Sequence, residues 1–470
     1  MSGTDLRTGF SLYLISLLFS FSADANENVW AINVTGGASV DNTSEDFYTS
    51  SKEMHQSYEQ LGVPRKQILN FFGPKRGPRC YTRSTDLFNK DFNSAIAAFK
   101  RNPNDCKLAG EVFKYEENEE PYTKPPYKEI VCDGGKKEVI LPLGELGGVP
   151  GRNDFAGRAT KKDFMNSLDR VIKRAKKRKS SQPLHLQLNL VDHGFKANDT
   201  WLVYLGDLKD YITVDDLKPY LSRLKKAGVN VHLHVSACFS GGFNSLTDVT
   251  SSLGNEGMVC SSADTDPDTA AAGSGDGIKY VFSASYFKRL GTDQSALRSF
   301  ACSLARDSWN RPQSSMDVIV SEWEKNHKKQ LGTSCLPNVG ITETSAQIQK
   351  LSDSLYSGDQ LRRDLLQAYQ QHFVSVVEAC HEDRKSEVAY SDQLAQCVKH
   401  PDAKVPESTQ AWLYDAYVYP RAESYDVDTM QRHLRFLKTA DSNSLLMFKR
   451  AFCCMSYNLK TGKNLPLCGQ

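Results

Sequence analysis

Short apolar runs and helical patterns alternate along the first part of the chain. Val29 to Thr35 is apolar and ends at a Gly-Gly pair, which is typical of a buried strand that enters a turn. Ser44 to Leu61 has acidic residues in its first turn and a glycine after its end, which predicts a helix. Gln67 to Phe72 predicts a second strand. A strand, a helix and a strand in this order predict a parallel sheet in an α/β fold.

The alternation resumes after residue 160. Alternating or short apolar runs predict strands at Leu184–Val191, Val229–Ala237 and Gly257–Ser261. Helical patterns precede the first two of these strands, at Thr160–Lys179 and Val214–Ala227. The first helix ends in the basic run KRAKKRK, which we interpret as a solvated helix end because no aromatic residues interleave with it. A nucleic-acid or lipid surface is the alternative.

Two other parts of the chain differ in composition. Residues 74–142 are rich in Pro, Lys, Glu and Tyr, and we expect an insertion at the edge of the sheet. Residues 308–344 predict a linker with one helix at Met316–Lys329. From about residue 345, apolar residues recur at helical spacing, which predicts a separate α-helical domain at 345–470. Its predicted helices are Leu355–Cys380, Ser408–Tyr417 and Asp426–Met455.

The N-terminus predicts export. Arg7 precedes a 13-residue uncharged run, Phe10–Ser22, and small residues follow at Ala23 and Ala25. The run is too short to span a bilayer, which needs about 20 residues, so we expect a cleaved signal peptide at 1–25. A buried helix or an uncleaved anchor is the alternative. We therefore expect a secreted or otherwise exported protein with no stable membrane anchor after cleavage.

Composition and cysteine content narrow the class of protein. The 470-residue chain has a formal net charge of +2, which argues against a nucleic-acid partner. It holds 12 cysteines, and several are expected to pair in an exported protein. If Cys238 is a free nucleophile, an odd number remains, so at least one more thiol is free. The pairing and the oligomeric state stay open at this point.

Two predicted strands end in turns that carry reactive side chains. His193-Gly194 follows the strand at Leu184–Val191, and Cys238 follows the strand at Val229–Ala237. Parallel strands end at the same edge of a sheet, so we expect His193 and Cys238 to lie close together. An imidazole beside a thiol promotes the thiolate and protonates a leaving amine. The backbone N–H groups of Gly194 and Cys238 are then expected to bind a developing oxyanion.

Simpler interpretations apply to the same residue types. A lone cysteine is often a small buried hydrophobe or half of a disulfide, and a lone histidine is often a core residue. We expect His232 and His234, inside the strand before Cys238, to be core residues. Metal binding by these histidines with His193 and Cys238 matches no known ligand spacing, so no metal or cofactor is expected.

Four short motifs occur along the chain. They are VWAINVTGGASVDN at Val29–Asn42, GVPGRNDFAGRATKKDF at Gly148–Phe164, NLVDHG at Asn189–Gly194 and SACFSG at Ser236–Gly241. Each motif alone is weak, but in this order they resemble the legumain family of the caspase-like cysteine peptidases, which is related to the catalytic subunit of the glycosylphosphatidylinositol transamidase. The resemblance covers about residues 28–290 without the insertion. It implies a caspase-like three-layer α/β sandwich around a mostly parallel sheet, in a peptidase domain at 26–307.

The resemblance also implies roles for individual residues. Cys238 and His193 match the family's catalytic dyad, and Gly194 matches its oxyanion glycine. Asn42 stands where the family has the asparagine that orients the catalytic histidine, although Asn is also common in turns.

The pocket that accepts asparagine in legumains is altered here. Ser44 and Glu45 stand where the family has Arg and His, and Ser236 stands where it has Glu. We therefore do not expect strict asparagine specificity. Caspase-like peptidases that cut after Arg or Lys carry acidic pocket residues, and Glu45, Asp264 and Asp276 are candidates, Asp276 before the others. The alternative is that these three are solvated acids in loops. Ser261 and Ser262 are expected to line the cleft.

These observations predict an exported cysteine endopeptidase that acts on protein or peptide substrates through an acyl-enzyme. The helical C-terminal domain is similar in architecture to the legumain pro-domain, and we expect it to cap the site until the linker is cut, as in a zymogen. An accessory domain is the alternative. A transamidase or peptide ligase of the same fold, or an inactive caspase-like binding protein, are alternative functions.

Overall fold

The structure is a computed structural model of the chain. It describes residues 26–36, 45–72, 106–109, 127–132, 139–142, 156–157, 159–178, 182–207, 209–250, 256–268, 281–306, 311–327, 346–347, 350, 359–380 and 425–469. The predicted signal peptide, most of the predicted insertion and the predicted helix at Ser408–Tyr417 lie outside these residues, and so do Asn42, Ser44 and Asp276.

A six-stranded sheet forms the centre of the described fold, with the strand order β12-β11-β10-β6-β1-β2. All neighbouring pairs are parallel except β11 with β12, which is antiparallel. The predicted α/β class with a mostly parallel sheet is therefore confirmed. The strands of this sheet are β1 (Val29–Thr35), β2 (Ile68–Phe72), β6 (Leu184–Val191), β10 (Val229–Ser236), β11 (Val259–Ala263) and β12 (Gln313–Ser314).

Two smaller antiparallel sheets accompany the central sheet. One consists of β3 (Cys106–Ala109), β4 (Tyr127–Cys132) and β5 (Val139–Pro142), within the predicted insertion. The other consists of β7 (Gly194–Ala197), β8 (Thr200–Asp207) and β9 (Asp210–Thr213). This second sheet lies between β6 and the next helix along the chain. Its first residue is Gly194, which directly follows His193.

Helices lie on both faces of the central sheet. N-cap residues fix the start of two of these helices. The Thr160 hydroxyl accepts a hydrogen bond from the Asp163 backbone N–H, and the Thr213 hydroxyl accepts one from the Asp216 backbone N–H. Gly228 ends the second of these helices with a φ of 72°. The described helices are α1 (Glu45–Gln60), α2 (Lys161–Lys177), α3 (Val214–Lys226), α4 (Val281–Asp293), α5 (Ala296–Arg306), α6 (Ser315–His327), α7 (Gln360–Tyr369, continued by a π turn at Gln370–Val374), α8 (Tyr425–Thr439) and α9 (Ser442–Ser456).

The two faces of the sheet have separate cores. One core joins alternate residues of the strands to α2 and α3, with Leu188, Phe164 and Leu224 among its buried members. The other core joins the opposite face to α1 and to α4–α9, with Tyr58 and Phe300 among its buried members. The described chain therefore has three layers, with the sheet in the middle.

The C-terminal helices share the second core and are covalently attached to the α/β part. Cys260 of β11 pairs with Cys454 of α9, and Cys302 of α5 pairs with Cys380. A third disulfide, Cys453–Cys468, lies within the C-terminal segment. The prediction that several cysteines pair is confirmed. The division of the chain at residue 345 stays a prediction.

The described part of the predicted linker belongs to the packed structure. β12 pairs with β11, and α6 buries Met316 and Val320 in the second core. The helix predicted at Met316–Lys329 is confirmed as α6. The long helix predicted at Asp426–Met455 is two helices, because Asp441 caps α9 by accepting hydrogen bonds from the Asn443 and Ser444 N–H groups.

Candidate active site

The register of the central sheet brings the His193 and Cys238 turns together. β6 and β10 are parallel neighbours, and Val191 lies opposite Ser236 at their carboxyl ends. The Asp192 N–H donates to the Ser236 carbonyl at 3.2 Å. His193 and Cys238 each follow their strand's last residue by two positions. The prediction that these two strands are neighbours in a parallel sheet is confirmed.

Gly194 lies directly against the backbone of Cys238. A Cβ atom at Gly194 would lie 2.1 Å from the Cys238 carbonyl oxygen and 2.9 Å from the Ala237 Cβ. No side chain fits there, so only glycine allows this approach. The contact holds the two turns at van der Waals distance.

His193 is half-buried and held by its backbone. Its N–H donates to the Asp192 carboxylate at 2.7 Å, and its carbonyl oxygen accepts from the Tyr204 N–H at 3.0 Å. Burial lowers the pKa of the His193 imidazole, because a partly desolvated site disfavours the imidazolium. The imidazole is therefore neutral near pH 7 and able to accept a proton.

Cys238 is a free thiol at a sharp turn. It is half-buried, and among the cysteines whose side chains the structure describes it is the one outside a disulfide. Phe239 follows in the left-handed region, with φ 58° and ψ 20°. A 3₁₀ helix of about two turns over Ser240–Leu246 comes next. The chain thus reverses immediately after the thiol, which keeps Cys238 at the tip of its strand.

A reciprocal pair of hydrogen bonds joins this turn to the segment that follows β11. The Ser240 N–H donates to the Thr265 hydroxyl at 2.9 Å, and the Thr265 N–H donates to the Ser240 hydroxyl at 3.1 Å. Thr265 also donates to the Ala237 carbonyl at 3.3 Å. All of these groups are buried. Sequence reasoning missed Ser240 and Thr265, since only the fold shows that they meet.

The two glycines after Cys238 accept close neighbours. A Cβ at Gly241 would lie 2.6 Å from backbone atoms of Asp266 and Pro267. A Cβ at Gly242 would lie 2.1 Å from the ring of Trp201. Trp201 belongs to β8, so the small sheet that begins at Gly194 also packs on the turn after Cys238.

A buried polar row runs beneath the site, across β6, β10 and β11. Ser236 donates to the Asp264 carboxylate, and the His234 ring lies 2.9 Å from the Ser262 hydroxyl. Ser262 also lies 3.1 Å from the ring of His232. Burial lowers the pKa of His232 to about 3 and that of His234 well below 6.5. Both are neutral core residues, as expected.

Four of the predicted pocket residues lie in this buried layer, namely Ser236, Ser261, Ser262 and Asp264. Ser236, Ser261 and Ser262 are fully buried, and Ser261 is hydrogen-bonded to Ser315. Glu45 is the first residue of α1. Their role in substrate binding stays a prediction.

Two features are absent from the residues that the structure describes. No group of three or more His, Cys, Asp or Glu side chains there is placed to hold a metal ion. No helix within the described ranges is long and apolar enough to cross a membrane.

No family model matches the chain, and no curated protein matches it. Support for a function therefore comes from the geometry of the site.

Proposed function

We propose that the protein is a cysteine endopeptidase of the legumain type, with Cys238 as nucleophile and His193 as base. The observation that supports this most is the contact of Gly194 with the Cys238 backbone, at the ends of two adjacent parallel strands. This contact brings the turn that carries the half-buried His193 against the turn that carries the free thiol of Cys238. Ligand sites of open parallel sheets lie at this edge.

Each group has a place in the reaction. Neutral His193 takes the proton of the Cys238 thiol, and the thiolate attacks the carbonyl carbon of the scissile bond. The oxyanion accepts hydrogen bonds from the Gly194 and Cys238 N–H groups. When the tetrahedral intermediate collapses, the imidazolium gives its proton to the leaving amine. Water, deprotonated by His193, then releases the acyl group from Cys238.

The fold supports the same proposal. A mostly parallel sheet with helices on both faces is compatible with the caspase-like three-layer sandwich that the resemblance implies. The three disulfides among the described cysteines fit an exported protein, since such bonds persist in oxidising compartments. We accordingly propose that the chain is exported and acts on protein or peptide substrates.

The test is hydrolysis of a fluorogenic peptide library by the purified full chain and by two variants. Cys238→Ala and His193→Ala are expected to lower kcat/KM by about three orders of magnitude or more, because each removes a member of a covalent unit. The matched control is His372→Ala, since His372 is also half-buried and burial also lowers its pKa. His372 lies in the π turn that continues α7, and its replacement should leave the activity unchanged.

Two results would contradict the proposal. One is hydrolysis that persists in Cys238→Ala, and the other is the absence of cleavage across the whole library. Adding a primary amine to the same reaction separates hydrolysis from transfer, because a transamidase yields an amide product.

A further inference from the structure

We propose that Thr265 is a positioning residue for the reaction, because its hydroxyl orients and polarises the peptide unit that joins Ala237 to Cys238. The N–H of this unit belongs to Cys238, and it is one of the two donors expected to bind the oxyanion. The proposal rests on the proposed function. It assigns to Thr265 an effect on turnover that acts through the backbone, without contact with the substrate.

The direction of this N–H follows from the hydrogen bonds along the central sheet. On one side of β10, the Asp264 N–H donates to the Val235 carbonyl at 3.2 Å. On the other side, the Asp192 N–H donates to the Ser236 carbonyl at 3.2 Å. Because successive carbonyls of a strand alternate between its two sides, we expect the Ala237 carbonyl to point toward the segment after β11.

The Ala237 carbonyl does point that way. It accepts hydrogen bonds from the Thr265 hydroxyl and from the Ser240 N–H, each at 3.3 Å. The peptide unit is trans, so its C=O and N–H point in opposite directions, and the Cys238 N–H points toward β6. That is the side on which Gly194 lies against the Cys238 backbone. The N–H is therefore directed toward the turn that carries the proposed base.

The hydrogen-bonding capacity of two hydroxyls accounts for this arrangement. The Thr265 hydroxyl has one proton and two lone pairs. It accepts from the Ser240 N–H at 2.9 Å and lies 3.1 Å from the Ser240 hydroxyl. The Ser240 hydroxyl in turn accepts from the Thr265 N–H at 3.1 Å. With the Ser240 proton directed to Thr265, the proton of Thr265 is directed to the Ala237 carbonyl.

Burial strengthens the effect of these bonds on the peptide unit. Thr265, Ser240 and Ala237 are fully buried. In a low-dielectric interior hydrogen bonds are electrostatically stronger and polarise one another. A carbonyl that accepts a hydrogen bond therefore makes the N–H of the same peptide unit a better donor. Loss of the Thr265 hydroxyl should both loosen and weaken the donor to the oxyanion.

The segment that carries Thr265 is also attached to the small sheet beside the site. The Pro267 carbonyl accepts from the Trp201 indole N–H at 2.8 Å, and the Asp268 carboxylate accepts from the Lys196 ammonium at 2.5 Å. Lys196 lies on β7 and Trp201 lies on β8. This second attachment holds Thr265 in place between the small sheet and the turn after β10.

The test separates formation of an oxyanion from simple reaction of the thiol. Three quantities are measured on the full chain: kcat/KM for a fluorogenic peptide, inhibition by a peptide aldehyde, and the rate of alkylation of Cys238 by iodoacetamide. The Cys238 sulfur adds to the aldehyde carbon, and the aldehyde oxygen passes through an oxyanion before it takes a proton. With iodoacetamide the sulfur displaces iodide from a saturated carbon, and no oxyanion forms.

Thr265→Val removes the hydroxyl and keeps a side chain of similar size. Removal of an oxyanion donor costs about 100- to 1,000-fold, so we expect the misdirected donor of Thr265→Val to lower kcat/KM and to weaken aldehyde inhibition, each about tenfold. The rate of alkylation should be unchanged. Thr265→Ser keeps the hydroxyl and should retain wild-type values. Thr429→Val is the matched control and should change none of them, since Thr429 is also buried and lies on α8.

The possible outcomes separate this inference from the proposed function. A loss of alkylation equal to the loss of kcat/KM in Thr265→Val would overturn the inference, because the whole turn would then be displaced. Wild-type kcat/KM in Thr265→Val would also overturn it, and both results leave the peptidase intact. If Thr265→Val does not fold, Thr265→Ala takes its place, and equal losses in Thr265→Ala and Thr265→Ser would overturn the inference. Failure of the wild type to cleave any peptide would overturn the function and the inference together.

Discussion

Replacement of Gly194 by alanine tests the geometry of the candidate active site at its closest contact. The added Cβ would lie 2.1 Å from the Cys238 carbonyl oxygen, whereas real Cβ atoms essentially never approach closer than 3.0 Å. The backbone of Gly194 is outside the left-handed region, so alanine adopts it without strain. The effect of the change is therefore steric. The His193 and Cys238 turns must separate by about 1 Å.

The expected loss follows from that displacement. A misplacement of about 1 Å between reacting groups costs on the order of 100-fold in rate. Overpacking of this kind also destabilises a fold by about 1–3 kcal/mol. We expect Gly194→Ala to lower kcat/KM about 100-fold per folded molecule, beyond any effect on the free energy of unfolding.

Gly257 provides a matched control. A Cβ there would lie 1.9 Å from the Val229 carbonyl oxygen, which is an equally severe backbone contact. Val229 begins β10, at the end of the strand roughly 23 Å from Ser236. Gly257→Ala should therefore destabilise the protein to a similar degree and preserve kcat/KM per folded molecule.

The assay combines peptide hydrolysis with urea unfolding for both variants, and normalises activity to the folded fraction. Wild-type kcat/KM in Gly194→Ala would refute the inferred contact between the two turns. Equal losses in Gly194→Ala and Gly257→Ala would also refute it, because the effect would then be general destabilisation.

Two further predictions concern stability and connectivity. Burial lowers the pKa of His185 and of His232 from 6.5 to about 3, so the stability that each contributes as a neutral group is complete above pH 6.5 and is lost as the pH falls toward 3. At pH 5 each of these two histidines should lower the free energy of unfolding by about 2 kcal/mol relative to its value above pH 6.5. In urea unfolding, the free energy of unfolding of His232→Gln should therefore decrease less between pH 7 and pH 5 than that of wild type. An equal decrease in the two proteins would contradict this. A specific protease site inserted at residues 340–345 should give two chains that stay joined through Cys302–Cys380 and the second disulfide that crosses the cut. They should separate on a gel only after reduction, and separation without reductant would show that the disulfides do not form.

That second prediction bears on the expected zymogen. The C-terminal segment contacts the amino-terminal ends of the strands: Tyr457 stacks on His185, and the Asn26 side chain donates to the Leu459 carbonyl. These contacts lie at the edge opposite Cys238. A cut in the linker alone would not release helices held by disulfides and a shared core. Inhibition by this part of the chain remains a prediction.

Strong local patterns predicted the centre of the fold. The apolar run at Val29–Thr35 and the alternation at Leu184–Val191 coincide with β1 and β6. Parallel sheets place strand ends at one edge, so the neighbourhood of His193 and Cys238 followed from topology. These features depend on residues close in sequence, and such features are the ones that a single sequence shows.

The alternating pattern of β6 did not show that its polar side chains are buried. Polar residues at every second position usually mark a solvent-facing side, but here both sides are buried. Asn189 donates to Asn33 at 2.7 Å and to the Tyr58 hydroxyl at 2.8 Å, and Asn33 donates to Asn70 at 2.7 Å. This row of amides crosses three strands. Its partners come from distant parts of the chain, so sequence reasoning could not find them.

The small sheet beside His193 was also missed. A helix was expected to connect β6 with β10, and α3 does so, but β7, β8 and β9 precede it. Asn198 supplies the turn between β7 and β8 with a φ of 53°, and Asn-Asp is a turn signal.

The pairing of the cysteines could not be predicted for a different reason. Pairs such as Cys260–Cys454 are 194 residues apart and depend on the packed core.

The most direct measurement of the central claim is covalent trapping of Cys238. The folded full chain is treated with a peptide that carries a thiol-reactive group in place of the scissile bond, and the adduct is located by peptide mass mapping. We predict a single adduct on Cys238 that requires the native fold and forms much more slowly in His193→Ala. An unmodified Cys238, or labelling at the same rate in His193→Ala, would contradict its role as a nucleophile activated by His193.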